Sequence, residues 1–470
     1  MKEQKENNQK KTDTEMIVMK FGGTSVGGCE EISRVVSIVR QKLDRKPVVV
    51  TSAMSKMTDL LYRIADSAEN RQEEEMENLL NELRRHHVEV AEHLLVNNVD
   101  IMLETTSRLN EICDELESFT KAICVLGELS ERSRALIISN GELLSSTILA
   151  SAMNASGIRA VLVDARRMIV TNSNHLKAEP NIAEIESRVP RMLESECQGA
   201  DVIVTQGFIA SSTDGEPTVL GRGGSDYSAS LIAMALNAEA IEIWTDVDGV
   251  MTADPNKVKT ARRLDRISFE EAAEMAHFGA KVLHPLTIEP AIKKNIPIYV
   301  LNSKNPACEG TSILNNVHIS DGVKSISYKE NILVINIFST KMINASGFLG
   351  KVFDIFSDNK VSVDLISTSE ANISVTVDDG QNISKVLEEL SSFATIEVDR
   401  GKAQISVVGQ NLINHPGMLD KIFAPLDKER IFMVSQGASL INLSFVVDKE
   451  AMDSSIEAIH NAFFGTGKGK

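Results

Sequence analysis

After fifteen polar residues the chain begins with a short apolar run, Met16–Lys20, that reads as a strand. It passes into Gly22–Gly28 and then into apolar positions at helical spacing: Ile32, Val35, Val36 and Val39. Pro47–Thr51 is almost wholly apolar, the pattern of a strand covered on both faces. Residues ~56–120 are charge-rich, with Leu, Ile and Val at helical spacing, and Gly127–Asn154 reads as a helix. Ala160–Val163, Asp201–Thr205 and Ala240–Trp244 read as strands; the second leads into Gln206-Gly207-Phe208. Between the last two, Gly221–Asp226 opens a helix carrying Leu231, Ile232, Met234 and Ala235. Strands alternating with helices predict an α/β fold with a largely parallel sheet covered on both faces.

The alternation stops near Asn302, and an internal repeat follows. Gly347-Phe-Leu-Gly-Lys-Val-Phe353 matches Gly417-Met-Leu-Asp-Lys-Ile-Phe423 at an offset of 70. The same offset aligns Asn372–Asp378 with Asn442–Asp448. Each copy reads strand, helix, strand, strand, helix. The first closes with the alternating strand Thr395–Asp399, whereas the second ends in a Gly-Lys run that cannot be a core strand. Val323–Tyr328 has strand composition and no partner, so it is expected to complete the second copy's sheet, leaving the first copy inserted within the second.

Composition narrows the function. A formal charge of −17 argues against a nucleic-acid partner. No apolar run approaches the roughly 18 residues of a membrane span, and residues 1–15, with no apolar core, read as a disordered arm rather than a secretory signal. Five scattered cysteines without a CxxC spacing argue against a disulfide framework or zinc site and favour a reducing cytoplasm.

Two glycine-rich turns sit between a strand and a helix, Gly22–Gly28 and Gly221–Ser225. Both could aim backbone amides at phosphate, although neither is a GxxxxGK[ST] loop, and a lone Gly-Gly is more often only a tight turn. Lys20 ends the strand before the first turn, in the crevice where such sheets bind ligands. Arg222 and Asp226 bracket the second: Arg can clamp a carboxylate, and Asp226 can equally be a helix N-terminal charge. Thr245 and Asp246 follow another strand end. Asp246-Val-Asp248-Gly lacks the rest of a calcium loop. His86, His87 and Glu73–Glu75 read as a solvated helix face, and His277 and His284 as packing or capping groups.

Taken together, Lys20-Phe-Gly-Gly-Thr-Ser25, Gly221-Arg-Gly-Gly-Ser-Asp-Tyr227, Trp244-Thr-Asp-Val-Asp-Gly-Val250 and Phe278-Gly-Ala-Lys-Val-Leu-His-Pro285 resemble aspartate kinase, within the amino-acid-kinase fold. The repeats resemble the paired ACT domains of such enzymes. The resemblance implies a three-layer αβα sandwich around a mainly parallel eight-stranded sheet, followed by two βαββαβ domains. The expected segments are an arm at 1–15, a catalytic domain at 16–303, and a linker plus strand at 304–330. An effector-binding ACT domain at 331–400 and a second at 401–470 complete the chain.

It also implies roles. Lys20, Gly22, Gly23, Thr24, Ser25 and Lys281 hold the ATP phosphates, with Thr245, Asp246 and Met251 by the adenosine. Thr58, Glu142, Phe208, Arg222, Gly223, Gly224 and Ser225 surround the aspartate, and Asp226 joins Lys20 as a catalytic group. Family members commonly have Tyr at Met251 and often Arg at Asn256, so ATP affinity is expected to be somewhat weak. Met251→Tyr combined with Asn256→Arg is expected to lower the ATP Kd by about three- to tenfold; an unchanged Kd removes that expectation.

A carboxylate nucleophile with a pKa near ~3.9 is already ionised, so no general base is assigned. Lys20, Lys281, the glycine amides and Mg²⁺ carried mainly by ATP offset the repulsion between two anions, and no protein metal site is expected. Arg222 suits the α-carboxylate and Glu142 the α-ammonium. In the repeats, only the first copy carries both acids, Asp364 and Glu370, beside Thr368 and Ser369. The second has Val434, Ala438, Ser439 and Leu440 at the matching positions. An effector amino acid is therefore expected at Met342, Ser362, Val363, Asp364, Thr368, Ser369 and Glu370, with lysine favoured over threonine. The resemblance implies a homo-oligomer assembled through the ACT domains. The competing readings are another amino-acid kinase, a catalytically silent sensor, and one half of a fused kinase–dehydrogenase.

Overall fold

The computed structural model describes residues 16–465 apart from 279–282, 284, 316–321, 343–345, 381, 413 and 438. The chain runs β1 (Ile17–Phe21), α1 (Cys29–Arg40), β2 (Val48–Thr51), α2 (Met57–Glu69), α3 (Glu73–Leu95), α4 (Val99–Leu126), α5 (Glu131–Ile138), α6 (Asn140–Ala155) and β3 (Ala160–Val163). It continues through β4 (Val170–Thr171), α7 (Ile182–Glu196), β5 (Val202–Gln206), β6 (Ile209–Ser212), β7 (Pro217–Val219), α8 (Gly224–Leu236) and β8 (Ala240–Thr245). Then come β9 (Arg266–Ser268), α9 (Phe269–His277), α10 (Pro285–Lys294), β10 (Ile298–Asn302) and β11 (Thr311–Leu314).

The central sheet has the order β3-β5-β2-β1-β8-β10-β11-β9, and only the β10–β11 pair is antiparallel. It is the middle layer of an αβα sandwich. Ile17, Val18, Met19 and Phe21 of β1 are fully buried, because β1 lies mid-sheet with helices over both faces. Burial of side chains this size stabilises by about 1.5–3 kcal/mol each. Ile17, Met19 and Phe21 join Ile32, Val35, Leu144 and Ile148 in one core cluster. Lys20 has the opposite parity and reaches the α8 side.

Two readings of the helical region need correction. Gly127 does not begin a helix. It caps the end of α4 in a left-handed conformation (φ +70°), its N–H reaching the Ile123 carbonyl, and Ser130 then caps α5 by accepting from the Ser133 amide. His87 is not solvated either. It falls on the α3 stripe of Met76, Leu80, Leu83 and Val90, is fully buried, and bonds the Leu83 carbonyl through Nδ1. Burial pushes its pKa down to about 4. The stretch Glu131–Ala155 is apolar enough by composition to span a membrane, but 78% of its apolar window is buried among the core helices.

The chain divides into two compact units. The first holds Met1–Val250, Asp265–Phe269 and Val282–Val317; the second holds Met251–Leu264, Glu270–Lys281 and His318–Lys470. In the second unit lie β12 (Gly322–Phe338), α11 (Phe348–Asp358), β13 (Val363–Thr368), β14 (Asn372–Asp378), α12 (Ile383–Ser391), β15 (Thr395–Gln410), α13 (Met418–Phe423), β16 (Met433–Gln436), β17 (Asn442–Asp448) and α14 (Met452–Phe464). They form one six-stranded sheet, β13-β14-β12-β15-β17-β16. Ile332–Phe338 pairs with β14, and Val334–Phe338 also pairs with Thr395–Asp399, inside the first repeat. Val323–Tyr328 pairs instead with Ile405–Gly409, which pairs onward with β17 of the second. One continuous strand therefore serves both repeats, with register shifts at Glu330–Val334 where it crosses.

Candidate active site

The site lies at the carboxyl ends of β1, β2 and β5, where parallel α/β sheets bind ligands. A cleft of about 440 Å³ is lined there by Lys20, Gly23, Thr24, Thr58, Glu142, Phe208, Gly223, Gly224, Ser225 and Asp226, together with Ser52–Lys56 and Asp59. Residues from five separate stretches of sequence thus meet in one place.

Lys20 Nζ lies 2.6 Å from Asp226 Oδ1 in the first turn of α8, both side chains largely buried. The turn after β1 is a 3-10 turn, Gly23–Ser25, pinned by the Gly22 amide donating to the Trp244 carbonyl at 3.3 Å. A Cβ on Gly23 would come within 2.8 Å of the Ala53 carbonyl oxygen, so only glycine lets the turn approach the segment after β2 this closely. Ser25 Oγ meets Ser303 Oγ at 2.8 Å, and Ser303 Oγ reaches the Thr245 carbonyl at 3.0 Å. The ends of β1, β8 and β10 are tied together in this way. Thr245 Oγ1 bonds Asp246, and Lys304 lies 3.9 Å from the Asp246 carboxylate.

Glu142, in the first turn of α6, is 3% exposed. Its Oε1 accepts from the Ala53 amide at 3.1 Å, and its Oε2 has no partner among the described residues. Burial pushes the carboxyl up to about 8, opposed only by its backbone hydrogen bonds. A buried acid that lines a cleft and has one unpartnered oxygen fits a cationic ligand group. Phe208 holds a left-handed backbone (φ +66°), costly for a bulky residue, with its amide donating to Ser228 Oγ at 3.0 Å. A Cβ at Gly207 would meet Ser225 Cβ at 2.6 Å, so the Gly207–Phe208 turn and the start of α8 fit only without one.

Arg222 is exposed and does not line the cleft, although Gly221 and Gly223 on either side of it do. Lys281 lies outside the described residues. Met251 belongs to the second unit, where its carbonyl accepts from Ser325 Oγ at 2.9 Å. Sequence reasoning missed Ser52, Ala53, Ser303 and Lys56. The Ser52–Lys56 segment had only the neighbouring Thr58 to mark it, and Ser303 only its place just past a strand end.

The effector candidates fall at two ends of β13. Val363 pairs with Val377 at one end and Thr368 with Ile373 at the other. At the first end, Asp364 Oδ2 takes Lys329 Nζ at 2.6 Å, and the same ammonium pairs with Asp378 at 2.9 Å. Ser362 there is exposed. Thr368, Ser369 and Glu370 are exposed at the other end, where Met342 packs against the first repeat's core.

The profile of the amino acid kinase family matches residues 15–302, and that of the ACT domain matches 335–391 and 405–463. The lysine-sensitive aspartokinase 3 of Escherichia coli is 35% identical over 469 residues, covering 96% of this chain and 100% of that protein. The chain belongs to the aspartokinases, within the amino acid kinase family. The chloroplastic aspartokinase 1 of Arabidopsis thaliana is also 35% identical, over 96% of this chain and 80% of its own length. The crystal structure of E. coli aspartokinase III with aspartate and ADP superposes with a TM-score of 0.86 at 33% identity, covering 96% of this chain and all of that one. The same protein with lysine and aspartate gives 0.79. This aspartokinase is accordingly a phosphotransferase with an ACT-domain regulatory part.

Proposed function

We propose that the chain transfers the γ-phosphoryl group of ATP to the side-chain carboxylate of L-aspartate, giving 4-phospho-L-aspartate and ADP, in the cytoplasm. The observation that carries this reading is the convergence of Lys20, the Gly23–Thr24 turn and the half-partnered Glu142 on one cleft. An aspartate carboxylate oxygen forms a bond to the γ-phosphorus while the bond to the bridging oxygen breaks, and the electron pair leaves on ADP. No proton moves. Lys20 and the Gly23 and Thr24 amides bind the charge that spreads over phosphate oxygens, while the Gly22 and Ser25 amides hold the turn through the Trp244 and Gly22 carbonyls, and Asp226 holds the Lys20 ammonium in place. Glu142 takes the substrate ammonium, and Thr58 and Ser225 offer hydroxyls; Arg222, exposed beside the cleft, would have to turn inward to reach the α-carboxylate. Thr245 and Asp246 at the tip of β8 are assigned to the adenosine. Mg²⁺ enters with ATP as part of the substrate, and Asp226 and Thr24 in the cleft lining offer oxygen donors that would suit a hard cation. ADP formation that requires L-aspartate, with an acyl phosphate trapped by hydroxylamine, supports the reading; ATP turnover indifferent to aspartate overturns it.

The product feeds amino-acid synthesis, and end-product lysine is the proposed inhibitor, acting in a homodimer assembled through the ACT repeats. Two facts support lysine. The E. coli relative was solved with it, and Asp364 already accepts a lysine-type ammonium, that of Lys329. Asp364→Ala is expected to weaken inhibition by lysine about tenfold or more while kcat stays within about twofold. Equal lysine inhibition in that variant would remove Asp364 from the effector site.

A further inference from the structure

We infer that Lys56 is a second cationic group of the catalytic cleft, reaching the transferring phosphoryl group from the cleft's exposed rim. This rests on the kinase reading above. Lys56 lines the same cleft as Lys20, Asp226, Glu142 and the Gly23–Thr24 turn. Ser55, just before it, packs its backbone against Gly23, with Ser55 N 3.5 Å from the position of a Gly23 Cβ. Thr58, two residues on, is the proposed aspartate contact. Lys56 is thus an exposed residue on the cleft lining, one position after the residue that packs on the phosphate turn and two before the proposed aspartate contact.

Its backbone is the second observation. Lys56 has φ +67° and ψ −4°, a left-handed conformation, at the residue that begins α2. A non-glycine side chain is strained there, a strain that glycine would avoid. The side chain gives nothing local in return: it makes no cap hydrogen bond to α2, and among the described residues it has no ion pair. A strained residue at a cleft, with an unengaged charge, is the pattern of a position held for its side chain.

Charge completes the case. The lining carboxyls are Asp59, Glu142 and Asp226, and the other lining cation, Lys20, is already paired with Asp226. Two anionic reactants have to meet there. As the new oxygen–phosphorus bond forms and the bridging bond to ADP breaks, the charge on the outer γ-oxygens needs a cation that no fixed carboxylate has claimed. Lys56 supplies it, and no proton is exchanged.

The test compares Lys56→Gly, Lys56→Met and Lys56→Arg in the full chain, measuring kcat, both KM values, the Kd for aspartate and Tm. Lys56→Gly is expected to keep or raise Tm, since it relieves the left-handed strain, and yet to lower kcat by about 10–100-fold with aspartate Kd within about threefold. Lys56→Met is expected to show the same loss of kcat, and Lys56→Arg to retain most of the rate. A glycine variant with undiminished kcat overturns the proposal, because Lys56 would then be only a turn residue. So does a loss confined to aspartate Kd, which would make it a substrate clamp. Wild-type protein that fails to phosphorylate aspartate overturns the kinase reading itself, and this inference with it.

Discussion

Replacing Lys20 with methionine is expected to lower kcat by about 10²–10³-fold while changing the aspartate KM by less than about threefold. The asymmetry follows from where the charge acts. Lys20 is the penultimate residue of β1, beside the Gly22–Ser25 turn, and pairs with Asp226 at 2.6 Å, so its ammonium is fixed before the reactants arrive. It gains most when negative charge builds on the phosphoryl oxygens. Removing it also leaves Asp226, 14% exposed, as an unopposed anion in the cleft. The double variant Lys20→Met/Asp226→Asn is therefore expected to recover part of the loss, and Asp226→Asn alone to lower kcat less than Lys20→Met does. Steady-state kinetics across this cycle check the point. An effect of Lys20→Met confined to KM would remove Lys20 from the transition state.

Aspartate affinity is expected to rise with pH up to about 8, by nearly tenfold per unit below that value. The sign follows from Glu142. Its carboxyl ionises near 8 in the free protein, because burial disfavours the charged form. The substrate ammonium needs it ionised, so aspartate binding at pH 7 expels a proton. Between pH 6 and 8 the ionised fraction climbs by about fifty-fold, and the affinity follows it. Titration calorimetry at pH 7 in buffers of different ionisation enthalpy should report close to one proton released per aspartate. Glu142→Gln keeps an acceptor for the Ala53 amide and loses the charge. At pH 8 it is expected to raise the aspartate Kd by about 10²-fold and to abolish both proton release and pH dependence. A Kd that stays flat from pH 6 to 8 in the wild type would contradict the assignment. Stability has the opposite slope. Unfolded Glu142 ionises near the ordinary 4.5 and the folded one near 8, so this group's contribution is lost as pH rises between those values, by at most about 1.4 kcal/mol per unit.

The local parts of this molecule could be read from the sequence. A buried strand ending in Lys20, a glycine turn and a helix form one contiguous stretch, as do Gly221–Asp226 and α8, and their periodicity shows which end of the sheet they reach. The 70-residue repeat was visible for the same reason: like residues recur in like order. Other features depend on residues far apart. The Ala53 amide that holds Glu142 lies 89 positions away, and Ser303 reaches Ser25 across 278. The left-handed backbones of Lys56 and Phe208 break the rule that such positions favour glycine, so no sequence pattern announces them. His87 follows a charged run that masks its place on the buried stripe of α3. Lys329 meets Asp364 only because one long strand runs from Gly322 to Phe338 through both repeats, a continuity that the repeat pattern alone does not reveal.

The most direct test uses L-aspartate labelled with ¹⁸O in its side-chain carboxylate, incubated with MgATP and followed by ³¹P NMR. The account requires an acyl-phosphate signal shifted by one ¹⁸O bonded to phosphorus, growing as ADP appears. Inorganic phosphate alone, or an acyl phosphate without the shift, would contradict it.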